Sequence, residues 1–165
     1  MITTASIADI PRLNLLINSA YRGEYSKKGW TTEADILGGI RTDEEDLRSI
    51  VTDPHSVFLK YEEEGKLLGC VHLRKDGEQL YLGMLTVNPE IQGKGIGKQL
   101  LLAAEEEARK QKCGAIYMTV ISVRKELIAW YIRHGYVDTG IRKPFRGQGI
   151  PKMPLEFVVL RKMIE

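Results

Sequence analysis

The chain has 165 residues, 43% of them apolar and 28% charged, the size and balance of one folded domain with a core of its own. Its formal net charge of +2 comes without a lysine or arginine run or a basic stripe, so nothing points to nucleic acid. No apolar run approaches the roughly 18 residues of a membrane span, and no cysteine–histidine spacing suggests a metal centre.

The opening "MITTASIADIPRL" has neither a basic n-region nor an apolar h-region, so no signal peptide is expected. Cys70 and Cys113 lie far apart in apolar-flanked segments and read as buried free thiols. The expected compartment is the cytoplasm.

"MITTA" predicts a short strand, and Ser6 with Asp9 offers a capping pair for a helix. Leu13, Leu16, Ile17, Ala20 and Tyr21 give that helix one apolar face, with Gly23 as its end. The stretch from Gly23 to Gly29 is a loop by composition, and "TTEADILGGI" reads as a short helix weakened by two glycines. "TDEEDLRSIV" predicts a better helix, with Thr42 and Glu45 as a capping box and three acids suited to the dipole.

The middle of the chain is β in pattern. "SVFLKYE" and "LLGCVHLRK" flank a polar turn, and after "DGEQ" the largely apolar "LYLGMLTV" reads as a central strand. A helix is predicted from about Gly97 to Gln111 on Leu100, Leu101, Ala104 and Ala108. "GAIYMTVI" is a buried strand, and "SVRKELIAWYIRHG" a helix with Leu127, Trp130, Tyr131 and His134 on one side, ended by Gly135. "YVDTGIRK" and "LEFVVLRKM" are the last strands, separated by the Gly/Pro-rich loop "PFRGQGIPKMP". This order predicts a single α/β domain over residues 1–165 with a mixed sheet.

"NPEIQGKGIGKQLL" places Gly93, Gly95 and Gly97 on alternate positions between a strand and a helix. The first turn of a helix has unpaired N–H groups and about half a positive charge, and missing side chains let a phosphate reach them. The plain alternative is a tight strand-to-helix turn, although three alternating glycines cost more chain entropy than one. The ATP P-loop pattern fails: Gln92 stands at its first glycine and Gln99 at its Ser/Thr. The Rossmann fingerprint also fails, because the spacing here is G-x-G-x-G with no acid evident at a strand end further on.

Gln-x-x-Gly-x-Gly does fit, at Gln92, Gly95 and Gly97. There the sequence resembles the GNAT superfamily of acyl-coenzyme-A-dependent N-acetyltransferases. "LGMLTVNPEIQGKGIGKQLLLAAEEEARKQKC" is similar to that family's strand, pyrophosphate loop and helix, and "LIAWYIRHGY" to its later helix. The element order extends the resemblance from about Ile2 to Leu160. It implies a mostly antiparallel central sheet flanked by helices and splayed between the strands ending near Val87 and Val120. It also implies acetyl-CoA as co-substrate without a metal, its pyrophosphate on the amides of Gly93, Lys94, Gly95, Ile96, Gly97 and Lys98. Lys94 and Lys98 would add charge or simply face solvent, and the pantetheine arm would bond to the backbone of Leu85 and Val87. A main-chain N–H near Leu85 would then serve the acyl oxygen.

The same resemblance sets Tyr131 where many members use a tyrosine to protonate the departing thiolate; packing in the core with its hydroxyl on the cofactor is the alternative. A thiol of pKa about 8.5 is protonated by a tyrosine near 10 only modestly uphill. Seven residues earlier many members have an asparagine on the pantetheine arm, where this chain has Arg124, which would reach a phosphate instead or face solvent. No general base stands out: Glu78 precedes the central strand, and Tyr81 lies where some members project an acid. His55, His72 and His134 form no metal or triad pattern, and G-x-S-x-G and H-E-x-x-H are absent.

The implied acceptor is a small-molecule or peptide amine, placed between "YRGEYSKKGW" and "RKPFRGQGIPKMP", where Glu24, Tyr25 and Trp30 offer a cation or ring site. A non-catalytic acyl-CoA-binding or sensing module on the same fold is the alternative function. Nothing in the sequence argues against a homodimer.

Overall fold

The computed structural model describes residues 1–22, 32–91, 93–146 and 149–165. The elements run β1 (Ile2–Thr4), a 3-10 turn (Ile7–Asp9), α1 (Ile10–Tyr21), β2 (Leu37–Gly38), α2 (Glu44–Thr52), β3 (Ser56–Glu63) and β4 (Lys66–Asp76). They continue with β5 (Gln79–Val87), α3 (Ile96–Lys110), β6 (Ala115–Ile121), α4 (Lys125–Arg133), β7 (Val137–Pro144), β8 (Ile150–Pro151) and β9 (Glu156–Met163). Seven strands form one sheet in the order β1-β3-β4-β5-β6-β9-β7, with β2 and β8 paired apart from it. Within the large sheet only β5 and β6 are parallel. This is the mixed, mostly antiparallel sheet flanked by helices that the family resemblance implied.

Helices cover both faces. On one face, α1 and α2 bury Leu13, Ile17 and Leu47 against Phe58, Cys70 and Met84. On the other, α3 and α4 bury Leu100, Leu101 and Leu127 against residues such as Leu73, Leu82 and Ile116. Two covered faces explain why β4 and β5 read as near-continuous apolar runs. Both cysteines are buried free thiols, and no helix among the described residues is long and apolar enough to cross a membrane.

The Ser6–Asp9 pair caps the 3-10 turn that leads into α1 and not α1 itself, whose N-cap is Asp9. The Ser6 amide donates to Asp9 Oδ2 at 2.8 Å, and Asp9 also pairs with Arg12 at 2.7 Å and Lys60 at 3.0 Å. Burial alone would raise the Asp9 pKa, but the Ser6 amide and the two cations outweigh it and hold the carboxyl at about 2.

Three further expectations change. The capping box on α2 shifts by one residue: Asp43 is the N-cap and accepts the Asp46 amide at 2.7 Å, while Thr42 donates to Asp46 Oδ2 at 2.6 Å. The Asn18 side chain holds Thr42 outside the helix, with Oδ1 accepting its amide and Nδ2 donating to its carbonyl. "TTEADILGGI" is not a helix but a turn followed by β2. Its two glycines weaken a helix, and the buried Leu37 gains a cross-strand partner in Pro151. For the same reason the loop "PFRGQGIPKMP" contains a strand, β8. Gly23 and the loop to Gly29 lie outside the described residues.

Candidate active site

Two features meet at the carboxyl end of β5. The first is a fork. β5 and β6 pair only at Gln79–Ala115, Leu80–Ile116 and Tyr81–Tyr117, and the two tyrosine rings lie 5.6 Å apart at the last rung. Beyond it the strands part, and residues 82–85 and 118–121 line opposite walls of a cavity of about 360 Å³. A bulge in β5 accompanies the parting. Cys70 pairs with Thr86 and His72 with Gly83, so β5 spends one residue more than β4 there, and Met84 takes a φ of 51°. Such a bulge bends and twists its strand away from a neighbour. Gly83 makes room for Tyr81, because an added Cβ would lie 2.5 Å from the Tyr81 hydroxyl oxygen.

The bulge is tied from behind. The Met84 carbonyl accepts the Thr86 hydroxyl at 2.8 Å, and the Leu85 carbonyl accepts the hydroxyl of Tyr21 at the end of α1. Burial pushes the Tyr21 hydroxyl up to about 12, against the opposing charges of Arg41 and Arg124, so it stays protonated as the donor.

The second feature is the start of α3. Its N-cap is Gly95, with φ 74°, and Gly93 takes φ 82°. The amides of Ile96, Gly97 and Lys98 precede the first bond of the helix, from Gln99 N to Gly95 O at 3.0 Å. They border a cavity of about 120 Å³ that Val87, Lys94 and Trp130 also line. A Cβ built at Gly93 or Gly95 meets no atom within 4 Å, so the loop opens onto space that side chains would fill. Of the sequence-read loop residues, Gln92 lies outside the described residues and Gly97 is buried in the first turn of the helix. Trp130, on the apolar side of α4 by its helical spacing, packs against the core and also borders the small cavity.

Tyr131 lines the large cavity from α4, packed edge-on against Trp130 and Tyr136. Burial, first, and the neighbouring Tyr21 hydroxyl raise its pKa well above 10, against the charge of Arg124. Arg124 is almost wholly buried: its Nη1 lies 3.3 Å from Glu33 Oε2, and its Nη2 has no partner. Glu33 Oε1 pairs in turn with Arg22 Nη2 at 2.9 Å. This triad was not foreseen, because Glu33 lay in a segment read as helix and Tyr21 and Arg22 at a helix end. Glu24, Tyr25 and Trp30 lie outside the described residues.

Glu78 stands at the far end of β5, by a separate cavity with Gln79 and Ala115, and not in the fork. His72 does border the large cavity, and burial drives its pKa down to about 4, so it is neutral at pH 7. No group of three or more metal-binding side chains occurs among the described residues.

A strand fork beside a glycine-capped helix start defines an α/β protein that can take an anion at one end and a narrow chain between two strands. Residues 14–136 match the family model described as the acetyltransferase (GNAT) family. The chain belongs to that family. A Bacillus subtilis (strain 168) protein, YdhI, described as uncharacterized, is 30% identical over 115 residues, 68% of this chain and 64% of that protein. Four curated relatives are covered over only 40% to 64% of their own length. The crystal structure of ribosomal-protein-alanine N-acetyltransferase from Brucella melitensis superposes with a TM-score of 0.76 at 22% identity, covering 99% of both chains. PaiA N-acetyltransferase from Thermoplasma acidophilum, in complex with coenzyme A, gives 0.71 at 20% identity over 99% of this chain and 98% of its own.

Proposed function

We propose that the protein transfers an acetyl group from acetyl-CoA to a primary amine by direct attack, with both substrates bound together. The observation that carries the reading is the parting of β5 and β6 after Tyr81 and Tyr117, next to an open, glycine-capped helix start. Family membership and the coenzyme A bound by the Thermoplasma relative favour the same cofactor.

The residues present fit it. Amides from Gly93 to Lys98 hold the pyrophosphate, with Lys94 and Lys98 exposed beside it. The arm runs in the fork along Leu85 and Val87, where the Tyr21 hydroxyl already holds the Leu85 carbonyl, and the Leu85 N–H is the group we assign to the acyl oxygen. The bound thioester supplies an acyl carbonyl and a thiol leaving group. The Leu85 N–H steadies charge as it develops on that carbonyl oxygen. Tyr131 donates its hydroxyl proton to the sulfur as the carbon–sulfur bond breaks and takes back the proton that the attacking nitrogen sheds in becoming an amide; its raised pKa keeps it protonated before the step at every ordinary working pH. The amine enters through its neutral fraction, because His72 at about 4 is too weak a base and Glu33 is held by two arginines. Arg124 walls the cavity with Glu33, and its Nη2 is the group it has left to offer the cofactor in place of the asparagine.

Thiol release from acetyl-CoA across a panel of amines, with hydrolysis in their absence as control, tests the reading. Amine-dependent release supports it. Tight coenzyme A binding with no release from any amine replaces it with a binding or sensing module.

A further inference from the structure

Four guanidinium groups, from Arg22, Arg41, Arg124 and Arg146, border the large cavity against two carboxylates, Glu33 and Asp46. Glu33 divides its two oxygens between Arg22 and Arg124, leaving Arg124 Nη2 buried without a partner. Asp46 is engaged at the start of α2 by the Thr42 hydroxyl. Arg41 lies over the Tyr21 ring, 5.4 Å from its centroid, and neither Arg41 nor Arg146 forms an ion pair among the described residues. His72 adds no balancing charge. Among the described residues the wall is therefore positive in excess, inside a cleft where charge is poorly screened.

Arg41 is placed by its fold neighbours. The Asn18 side chain of α1 accepts the Arg41 amide at 2.7 Å, which fixes the chain just before α2. Arg146 follows β7. Neither belongs to β5, β6 or the glycine loop, but both border the cavity that the fork lines, so the acceptor would share it with the thioester end of the cofactor.

We propose that the large cavity takes an acceptor amine that carries a carboxylate, of amino-acid size, seated by Arg41 and Arg146 with Arg124 behind them. The proposal rests on the acetyl-transfer reading and adds its substrate class. Guanidinium forks match a carboxylate in two parallel hydrogen bonds. The same positive wall disfavours an ammonium and so raises the neutral fraction of the amine that must attack. A carboxylate on the acyl group instead of the acceptor is the rival source of the same charge.

The test uses matched amines in the thiol-release assay: phenylalanine against phenethylamine and phenylalaninamide, and lysine against cadaverine. The carboxylate-bearing member should be favoured by about tenfold or more in kcat/KM, the scale of a charge-assisted pair. Arg41→Gln should reduce that ratio several-fold and Arg41→Lys restore part of it, while calorimetry with coenzyme A checks that each variant is folded. A ratio near one, or reversed, overturns the proposal, as does a preference for succinyl-CoA over acetyl-CoA with phenethylamine. Coenzyme A binding with unselective amine transfer defeats this inference alone. No binding and no transfer defeat the parent reading as well.

Discussion

The hydroxyl of Tyr21 donates to the main-chain carbonyl of Leu85, 64 residues away, and so fastens the end of α1 to the bulge in β5. The bond holds the backbone of the bulge from the side of α1. Tyr21→Phe should leave a buried carbonyl unpaired and cost about 1–2 kcal/mol. Because the bulge positions the proposed oxyanion donor, kcat should fall more than stability alone explains. Urea denaturation and steady-state kinetics on one variant separate the two; an unchanged kcat would remove the bond from the catalytic argument.

Gly95 caps α3 in the left-handed region at φ 74°, where an added Cβ meets only open space. Valine there should cost about 1–3 kcal/mol through backbone strain. It should also place a branched side chain where the pyrophosphate is proposed to lie. Calorimetric affinity for coenzyme A should drop well beyond the stability loss. In the wild type, coenzyme A at about 100 times its dissociation constant should add about 2.7 kcal/mol. That is a melting shift of several degrees at roughly 2–4 °C per kcal/mol, larger than any shift with ATP or NAD.

Tyr131 is a neutral acid whose folded pKa lies well above 10, chiefly through burial. Such a group donates at low and neutral pH and fails only as pH rises through its own pKa. The wild-type rate should therefore show no alkaline fall below about pH 10 from this residue. Tyr131→Phe should lower kcat by about 10²-fold or more, leaving coenzyme A affinity nearly intact. A full-rate phenylalanine variant would return Tyr131 to the packing role its contacts with Trp130 and Tyr136 also satisfy.

The glycine loop, the strand before it and the helix after it were readable because their signals are local: glycines bare the amides, and a 3.6-residue period marks α3. The β2–β8 pair was not, since Leu37 and Pro151 stand 114 residues apart and each carries a turn-like neighbourhood. Tyr21 reads as one more apolar-face residue, and only the tertiary fold brings it to Leu85. Arg124 was visible as a departure from the family pattern, but its partner Glu33 comes from a segment whose position depends on that long-range pairing. Local backbone geometry was legible in the sequence, and the arginine wall of the large cavity was not.

Glu33 is the counter-charge for two buried guanidinium groups, Arg22 and Arg124, each less than a tenth exposed. Burial lowers the Arg22 pKa while Glu33 opposes that shift. Glu33→Gln leaves Arg124 without its carboxylate and takes one from Arg22, and should destabilise the fold by about 3–5 kcal/mol, as breaking one side of a buried pair does. Leucine in place of Arg124 should recover part of that loss in the double variant by removing the stranded charge. Thermal unfolding of the two single variants and the double variant gives the coupling; strict additivity would mean that the triad does not act as a unit.

Asp9 offers a pH signature separate from the site. Its carboxyl sits at about 2 in the folded protein against 3.8 for an unperturbed group. A depressed acid contributes stability that is complete above its unfolded pKa and disappears as pH falls through the folded one. The difference is about 2 kcal/mol. Asp9→Asn should therefore be less stable than the wild type at pH 6 by about that amount, and the gap should close between pH 4 and pH 2. Other groups also titrate over part of this range, His72 at about 4 among them, but they are common to both proteins and cancel in the difference. A gap that stays constant down to pH 2 would mean that the Asn side chain loses packing or hydrogen bonds rather than the charge that Ser6, Arg12 and Lys60 hold in place.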